Sequence, residues 1–289
     1  MDLKKIKFKY DEIRYYLILI RLNRPIGIFL LLWPTLWGLW LSAKGIPNAE
    51  ILIVFLFGVF LMRSAGCILN DIADKDFDRF VSRTKNRPLA SDKLSSIEAF
   101  IFATVLIFIA FLLVLTTNTL TVQLSFVAVI LAGVYPFLKR YTYLPQIFLG
   151  LAFGWSIPMT FAATTNSIPD IAWLLLIANI LWTVVYDTIY AMVDREDDLK
   201  IGIKSTAILF DDADRTIIAI IQVLALAALA IVGKQASLNF VYYFCLILGS
   251  CLFVYQSYLI KNREPEKCMQ AFLNNNWFGL IIFIGLFVN

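Results

Sequence analysis

Residues 50–78 read EILIVFLFGVFLMRSAGCILNDIADKDFD, an apolar run that passes without a turn signal into a segment crowded with carboxylates. The apolar part, 50 to 69, has the length a membrane-spanning helix needs, roughly 20 residues. The continuation keeps helical spacing. Asp71, Asp74 and Asp78 follow at i, i+3 and i+7, and Asn70, Asp74 and Asp78 at i, i+4 and i+8, so these oxygens share one face while Asp76 points elsewhere. One stretch thus predicts both a membrane span and an oxygen-bearing helix end.

Working outward, comparable apolar stretches recur at about 26–43, 97–115, 119–137, 145–164, 170–187, 215–233, 238–260 and 270–288. Together they predict an all-α fold, a polytopic bundle of nine transmembrane helices. Composition agrees: 60% of the 289 residues are hydrophobic and 16% charged, with a mean hydropathy of +0.78. Four joints carry turn chemistry, KGIPN (44–48), TTNT (116–119), TTNSIPD (164–170) and GKQAS (233–237). Their only basic residues are Lys44 and Lys234, whereas the other 23 of the 25 Lys and Arg lie on the opposite side, in the N-terminal segment, in the other joints or, for Arg63 and Arg215, in the span ends beside them. Positive charge accumulates on the cytoplasmic side, so the N-terminus is expected inside and the C-terminus outside. The chain reads as one intramembrane domain over 1–289. Residues 1–25, basic and amphipathic, predict a segment lying on the membrane surface rather than a cleaved signal peptide. The two long joints, 70–96 and 187–214, are expected to be cytoplasmic loops that carry the site.

The chain contains no His, which removes Ser-His-Asp and Cys-His nucleophiles, His-ligated haem and most zinc sites. Acid–base or metal chemistry must therefore use carboxylates. Cys67, Cys245, Cys251 and Cys268 lack CxxC spacing and read as small packing residues.

A second acidic segment, YDTIYAMVDREDD (186–198), places Asp187, Tyr190, Asp194 and Asp198 at i, i+3, i+7 and i+11, again one stripe. Like charges on successive turns repel, and a membrane-edge carboxylate carries a desolvation penalty, so something cationic should compensate them. One reading is a pair of solvated helix ends with local salt bridges to Lys75, Arg79 or Arg195. The other is a Mg²⁺ site, since that ion prefers oxygen ligands and is commonly completed by substrate phosphates and water. Two runs at the cytoplasmic ends of two spans favour the second. Arg83, Lys85 and Arg87 in RTKNRPL, Lys139 and Arg140 in YPFLKRYT, and Lys200 and Lys204 lie beside the clusters, where they suit phosphate as well as topology and lipid headgroups.

The pattern NDxxDxxxD at Asn70, Asp71, Asp74 and Asp78, with YDTIYAMVDREDD at 186–198, resembles the paired motifs of the UbiA superfamily of intramembrane prenyltransferases. RLNRPIGIFLLLWPTLWGLW, RTKNRPLAS, YPFLKRYTYLPQ, GWSIPMTFAA and DREDDLKIGIKSTAILF resemble its branch that prenylates 4-hydroxybenzoate in ubiquinone synthesis, and the likeness spans 21–210. The resemblance implies a bacterial inner-membrane enzyme, active site towards the cytoplasm, with Mg²⁺ as cofactor. It further implies polyprenyl diphosphate, 4-hydroxybenzoate and membrane lipid as partners, and no nucleic acid. By this likeness Asn70, Asp74, Asp78, Asp187, Asp194 and Asp198 would hold metal, with Asp71, Asp74, Asp187 and Asp194 catalytic. Arg83, Arg87, Lys139 and Arg140 would meet the diphosphate, with Arg140 alternatively serving the acceptor, and Arg63 the acceptor carboxylate. Tyr190, with Tyr135 and Tyr186 as neighbours, would face the ring and a developing cation. The prenyl tail would lie between Phe-rich segments 97–137 and 238–288. Two other readings remain open on the residues alone: the same chemistry on another acceptor, and an ion-coupled secondary transporter using buried carboxylates.

Overall fold

A computed structural model describes residues 13–289; the part of the surface-helix expectation that falls on 1–12 lies outside them, and 13–19 are helical. The helices are α1 (Ile26–Ala43), α2 (Ala49–Asp78), α3 (Ser96–Val114), α4 (Thr119–Leu138), α5 (Pro145–Gly154) and α6 (Ser156–Thr165). They continue with α7 (Asp170–Ile201), the short α8 (Thr206–Phe210), α9 (Asp214–Gln235), α10 (Phe240–Leu259) and α11 (Pro265–Phe287). Counting α5–α6 and α8–α9 as single passes, nine segments among the described residues are long and apolar enough to cross a membrane.

The joints hold because polar side chains finish the helix ends. Asn48 accepts from the Glu50 amide at 2.7 Å, Asn118 from Thr121 at 2.9 Å and Asn239 from Val241 at 2.8 Å. Ser95 and Glu98 cap α3 reciprocally. Lys44 and Asn166 close α1 and α6 in the left-handed conformation, and Gly202 closes α7 at φ 72°, where lack of a Cβ makes the turn inexpensive.

Two boundaries differ from the sequence expectation. The joints expected from 70 and 187 begin later: residues 70–78 and 187–201 are unbroken continuations of α2 and α7, in keeping with the helical spacing of their carboxylates. Neither segment contains Gly or Pro, and i,i+4 bonding such as Asn70 Nδ2 to Asp74 Oδ2 at 3.0 Å supports the extra turns. The expected span 145–164 is one pass, Pro145–Thr165, built from two helices that meet at Trp155. Pro158 in α6 lacks the N–H that would reach the Gly154 carbonyl, and its ring crowds that carbonyl.

Each span packs on its sequence neighbour, and α11 returns to α1, which closes a ring. Contacts of α6 with α1 and of α11 with α7 fill one half of it. There Trp37, Trp182, Tyr186 and Phe278 are fully buried, with Trp37 and Trp182 ring centroids 5.1 Å apart. A separate cluster from 19–20, α2, the 79–95 loop and α3 includes Leu19, Ala65, Ile68, Leu89 and Ala99. Outward faces carry Phe108, Phe126, Phe244 and Val254, all exposed, as a lipid-facing surface requires.

Three consecutive asparagines tie α11 to its neighbours. Asn274 accepts from Gln256 of α10 at 3.0 Å, Asn275 from Trp182 Nε1 of α7 at 2.9 Å, and Asn276 from Trp33 Nε1 of α1 at 2.9 Å. Successive helical residues point about 100° apart, so three neighbours in sequence reach three different helices.

Candidate active site

The other half of the ring encloses a cavity of about 1130 Å³. Its apolar part is lined by Ala110, Phe111 and Val114 of α3, Ala128, Val129 and Ala132 of α4, and Leu149 and Phe153 of α5. The α3 and α4 walls agree with the expected tail segment 97–137. From 238–288 only α11 contributes, through Met269, Phe272, Leu273 and Asn276, because α10 packs on the outside of α11.

At one end the two helix extensions converge. The cavity there is bounded by Asn70, Asp71, Asp74 and Asp78 of α2, Asp187, Tyr190, Asp194 and Asp198 of α7, and by Arg63, Arg83, Arg87 and Lys139. Tyr135 and Tyr186 line it as well. Helical register decides which carboxylates turn inward: Asp71, Asp74 and Asp78 are buried, and Asp76 is exposed. Arg140 is not part of the lining. It is exposed, donates to the Ala73 carbonyl and lies over the Phe77 ring at 4.9 Å, bracing α4 against α2.

Charges alternate across the mouth. Arg83, from the loop after α2, forks onto Asp194 of α7 with Nε 3.0 Å from Oδ1, and its guanidinium lies 4.8 Å from the Tyr190 ring centroid. Arg87 Nη1 bridges Asp71 Oδ1 at 3.1 Å and Asp78 Oδ2 at 2.8 Å. Lys139 pairs with Asp74. Thr84 Oγ1 donates to the Asp78 carbonyl at 3.1 Å and folds the loop back over the helix end. Burial works against the Arg87 charge, but Asp71 and Asp78 hold its pKa above the ordinary guanidinium value. Burial is likewise the largest influence on Arg83, but its bond to Asp194 together with attraction from Tyr190, Asp194 and Asp78 holds its pKa high.

Arg21 was not singled out by sequence reasoning. Its Nη2 lies 2.5 Å from Asp71 Oδ1, a second cation on one buried carboxylate, and burial lowers its pKa despite that partner. Its only sequence signal was a place in RLNRPIG. Gln146 and Asn276, also in the lining, gave none.

Arg63 differs from the paired cations. Its Nε is buried without an acceptor, and its guanidinium lies 5.4 Å from the Phe153 ring centroid. A Cβ on Gly27 would stand 2.5 Å from that Nε, so α1 makes room for the side chain by having none of its own.

The donor set suits a hard cation. Asp71 Oδ2 and Asp74 Oδ1 are buried with no hydrogen-bond partner, an expensive condition for carboxylate oxygens. Among the described residues no three acidic side chains converge as a ready-made metal cage, because arginine and lysine stand between them. A cation that arrives with phosphate oxygens fits this arrangement better than one held by protein alone.

The family model described as the UbiA prenyltransferase family matches residues 31–282. The chain is 56% identical over 274 residues to a 4-hydroxybenzoate octaprenyltransferase of Saccharophagus degradans, covering 95% of this chain and 92% of that one. It is 56% identical over 281 residues to the Psychromonas ingrahamii protein of the same name, covering 97% and 98%. Among solved structures, the apo UbiA homologue from Aeropyrum pernix superposes with a TM-score of 0.80 at 24% identity, covering 91% of this chain and 97% of that one. The Archaeoglobus fulgidus UbiA homologue bound to GPP and Mg²⁺ gives 0.73 at 17% identity, covering 95% and 100%.

Proposed function

Since the chain belongs to the UbiA prenyltransferase family, we propose that it is a membrane enzyme transferring a polyprenyl group from polyprenyl diphosphate to 4-hydroxybenzoate. The new bond forms at the ring carbon ortho to the hydroxyl and diphosphate leaves, a step of ubiquinone biosynthesis. The relatives named as octaprenyltransferases support an octaprenyl donor. The observation that carries this reading is the pair of unpartnered, buried carboxylate oxygens of Asp71 and Asp74 among arginines and a lysine, at one end of an apolar cavity.

Asn70, Asp74 and Asp78 on α2 with Asp187, Asp194 and Asp198 on α7 would hold Mg²⁺, whose contribution when bound is to neutralise charge on the diphosphate. Arg83, Arg87 and Lys139 exchange their carboxylate partners for diphosphate oxygens and stabilise the charge that grows there as the carbon–oxygen bond weakens. The bonding pair leaves with the diphosphate, and the allylic carbon gains cationic character beside Tyr190, Tyr135 and Tyr186. Arg63 grips the acceptor carboxylate and fixes which ring carbon faces that centre. The ring forms the new carbon–carbon bond, and the proton on that carbon passes to the released diphosphate or to a site carboxylate such as Asp71. The apolar walls of α3, α4 and α5 take the tail. The distribution of Lys and Arg supports a site facing the cytoplasm in a bacterial inner membrane.

Membranes containing the protein are expected to incorporate radiolabelled 4-hydroxybenzoate into a lipid-soluble product only with Mg²⁺ and prenyl diphosphate, and Asp74→Ala or Asp194→Ala should abolish it. Wild-type activity in either variant would sink the metal assignment. Mass spectrometry of the product from a mixture of prenyl diphosphates reads the chain length.

A further inference from the structure

Behind the acidic stripe of α7 stands an ion cluster that takes no part in lining the cavity. Asp214, the first residue of α9, has a relative exposure of 0%. Arg263, between α10 and α11, sets Nε 2.9 Å from its Oδ2 and Nη2 2.9 Å from its Oδ1, and donates from Nη2 to the Asp212 carbonyl at 2.9 Å. Arg195 of α7 places Nη1 3.6 Å from Asp214 Oδ2 and also pairs with Asp211.

Arg195 directly follows Asp194. The step of about 100° along a helix turns the two side chains to different sides of α7, so Asp194 meets Arg83 at the cavity while Arg195 reaches back to α9. The last turns of α7 are thereby gripped from two sides, and Asp198 lies one turn beyond. A buried ion pair is weak evidence for stability, because desolvation offsets its attraction, but it fixes geometry closely.

We propose that Asp214 is a positioning residue: by holding Arg195 it sets where the end of α7 presents Asp194 and Asp198, and so governs binding of the divalent cation and the donor diphosphate. The inference rests on the prenyltransferase reading for the role of that stripe. It separates donor from acceptor, since Arg63 sits on α2 and forms no ion pair with α7 among the described residues, and the ring-facing residues of α7, Tyr186 and Tyr190, precede Asp194 by a turn or more.

The test uses the purified full-length protein in nanodiscs with Asp214→Asn, Asp214→Glu, Arg195→Met and the double variant Asp214→Asn/Arg195→Met. Loss of a direct outer partner of a metal-binding group commonly costs roughly 10-fold or more in affinity, and Asp214, which reaches Asp194 only through its helix neighbour Arg195, belongs at the low end of that range. Asp214→Asn should accordingly raise the Mg²⁺ concentration for half-maximal activity and the donor KM by about that factor, while the KM for 4-hydroxybenzoate changes less than roughly 2-fold. Asp214→Glu should restore most of the loss, and the double variant should fall well short of the product of the two single effects, because both residues share the Arg195–Asp214 contact while each has a second partner, Asp211 and Arg263. Equal rises in both KM values, an unchanged Mg²⁺ requirement, or effects that multiply in the double variant would overturn the proposal. Should Asp214→Asn not fold, Arg195→Met alone decides, with the same expected shift and the same refuting result. Thermal stabilisation by Mg²⁺ with a prenyl thiodiphosphate gives a second readout that needs no acceptor. If wild type responds to that pair yet prenylates no 4-hydroxybenzoate, the acceptor assignment fails while the positioning role is still measured.

Discussion

Replacing Arg63 by Met isolates the acceptor contact. The change keeps an unbranched stem against Phe153 and removes only the guanidinium, whose Nε is buried without an acceptor and which forms no ion pair among the described residues. No hydrogen bond or ion pair among the described residues is lost, only the cation–π contact with Phe153 and a favourable charge near Asp187, so the melting temperature should change little. The loss falls on the ligand. A hydrogen bond to a charged group is worth ~1.5–3 kcal/mol, and a forked guanidinium–carboxylate contact sits at the upper end. Taking ~3 kcal/mol, at ~1.4 kcal/mol per factor of ten, gives about a 100-fold rise in the KM for 4-hydroxybenzoate. The donor KM should move by no more than roughly 3-fold. Steady-state assays with 4-hydroxybenzoate and its neutral amide complete a cycle: wild type should prefer the acid by about the same factor of 100, and the variant should show no preference. A larger rise in the donor KM, or an undiminished preference for the acid in Arg63→Met, would refute the assignment and move Arg63 to the diphosphate.

Asn275→Ala strands the Trp182 indole N–H in a fully buried setting; an unsatisfied donor costs ~1–3 kcal/mol, so the unliganded protein should melt several degrees lower. Gly150→Ala should also lower thermal stability, because a Cβ there would stand 2.9 Å from the Ile180 Cα and push α5 off α7, at ~1–3 kcal/mol for overpacking. Topology is checked by impermeant thiol labelling in a Cys251→Ser background: Lys44→Cys should react from outside intact cells and Lys85→Cys only after the membrane is opened. The reverse pattern would invert the assigned orientation.

Much of this was legible in residues whose meaning is local. Apolar run lengths fixed the nine passes, and the i, i+3, i+7 spacing of Asp71, Asp74 and Asp78 correctly separated them from Asp76. What the chain hid were pairings across distance. Nothing near Arg21 points to Asp71, 50 positions on, and nothing near Asn275 points to Trp182. An isolated asparagine or arginine states a need for a partner without naming it. The spacing of the carboxylates also anticipates that both acidic stripes are helical, as α2 through Asp78 and α7 through Ile201 bear out, whereas loop bounds placed at 70 and 187 start too early, because helical continuation depends on the absence of Gly and Pro and on side-chain partners. Conversely, the break at Trp155 turns on Pro158, one residue inside an otherwise apolar stretch.

The 32 residues of α7 carry a further implication. At ~1.5 Å per residue the helix is roughly 48 Å long, against a hydrocarbon layer of about 30 Å. One rod is therefore long enough to cross the apolar layer from Asp170 and project beyond it, with Trp182 at its greasy waist and Asp194 and Asp198 near its projecting tip. A small acid and a hydrated ion dissolve on one side of that boundary, a long isoprenoid on the other. With the acidic stripe and the apolar chamber joined end to end, neither reactant has to leave the phase in which it is soluble for the two to meet.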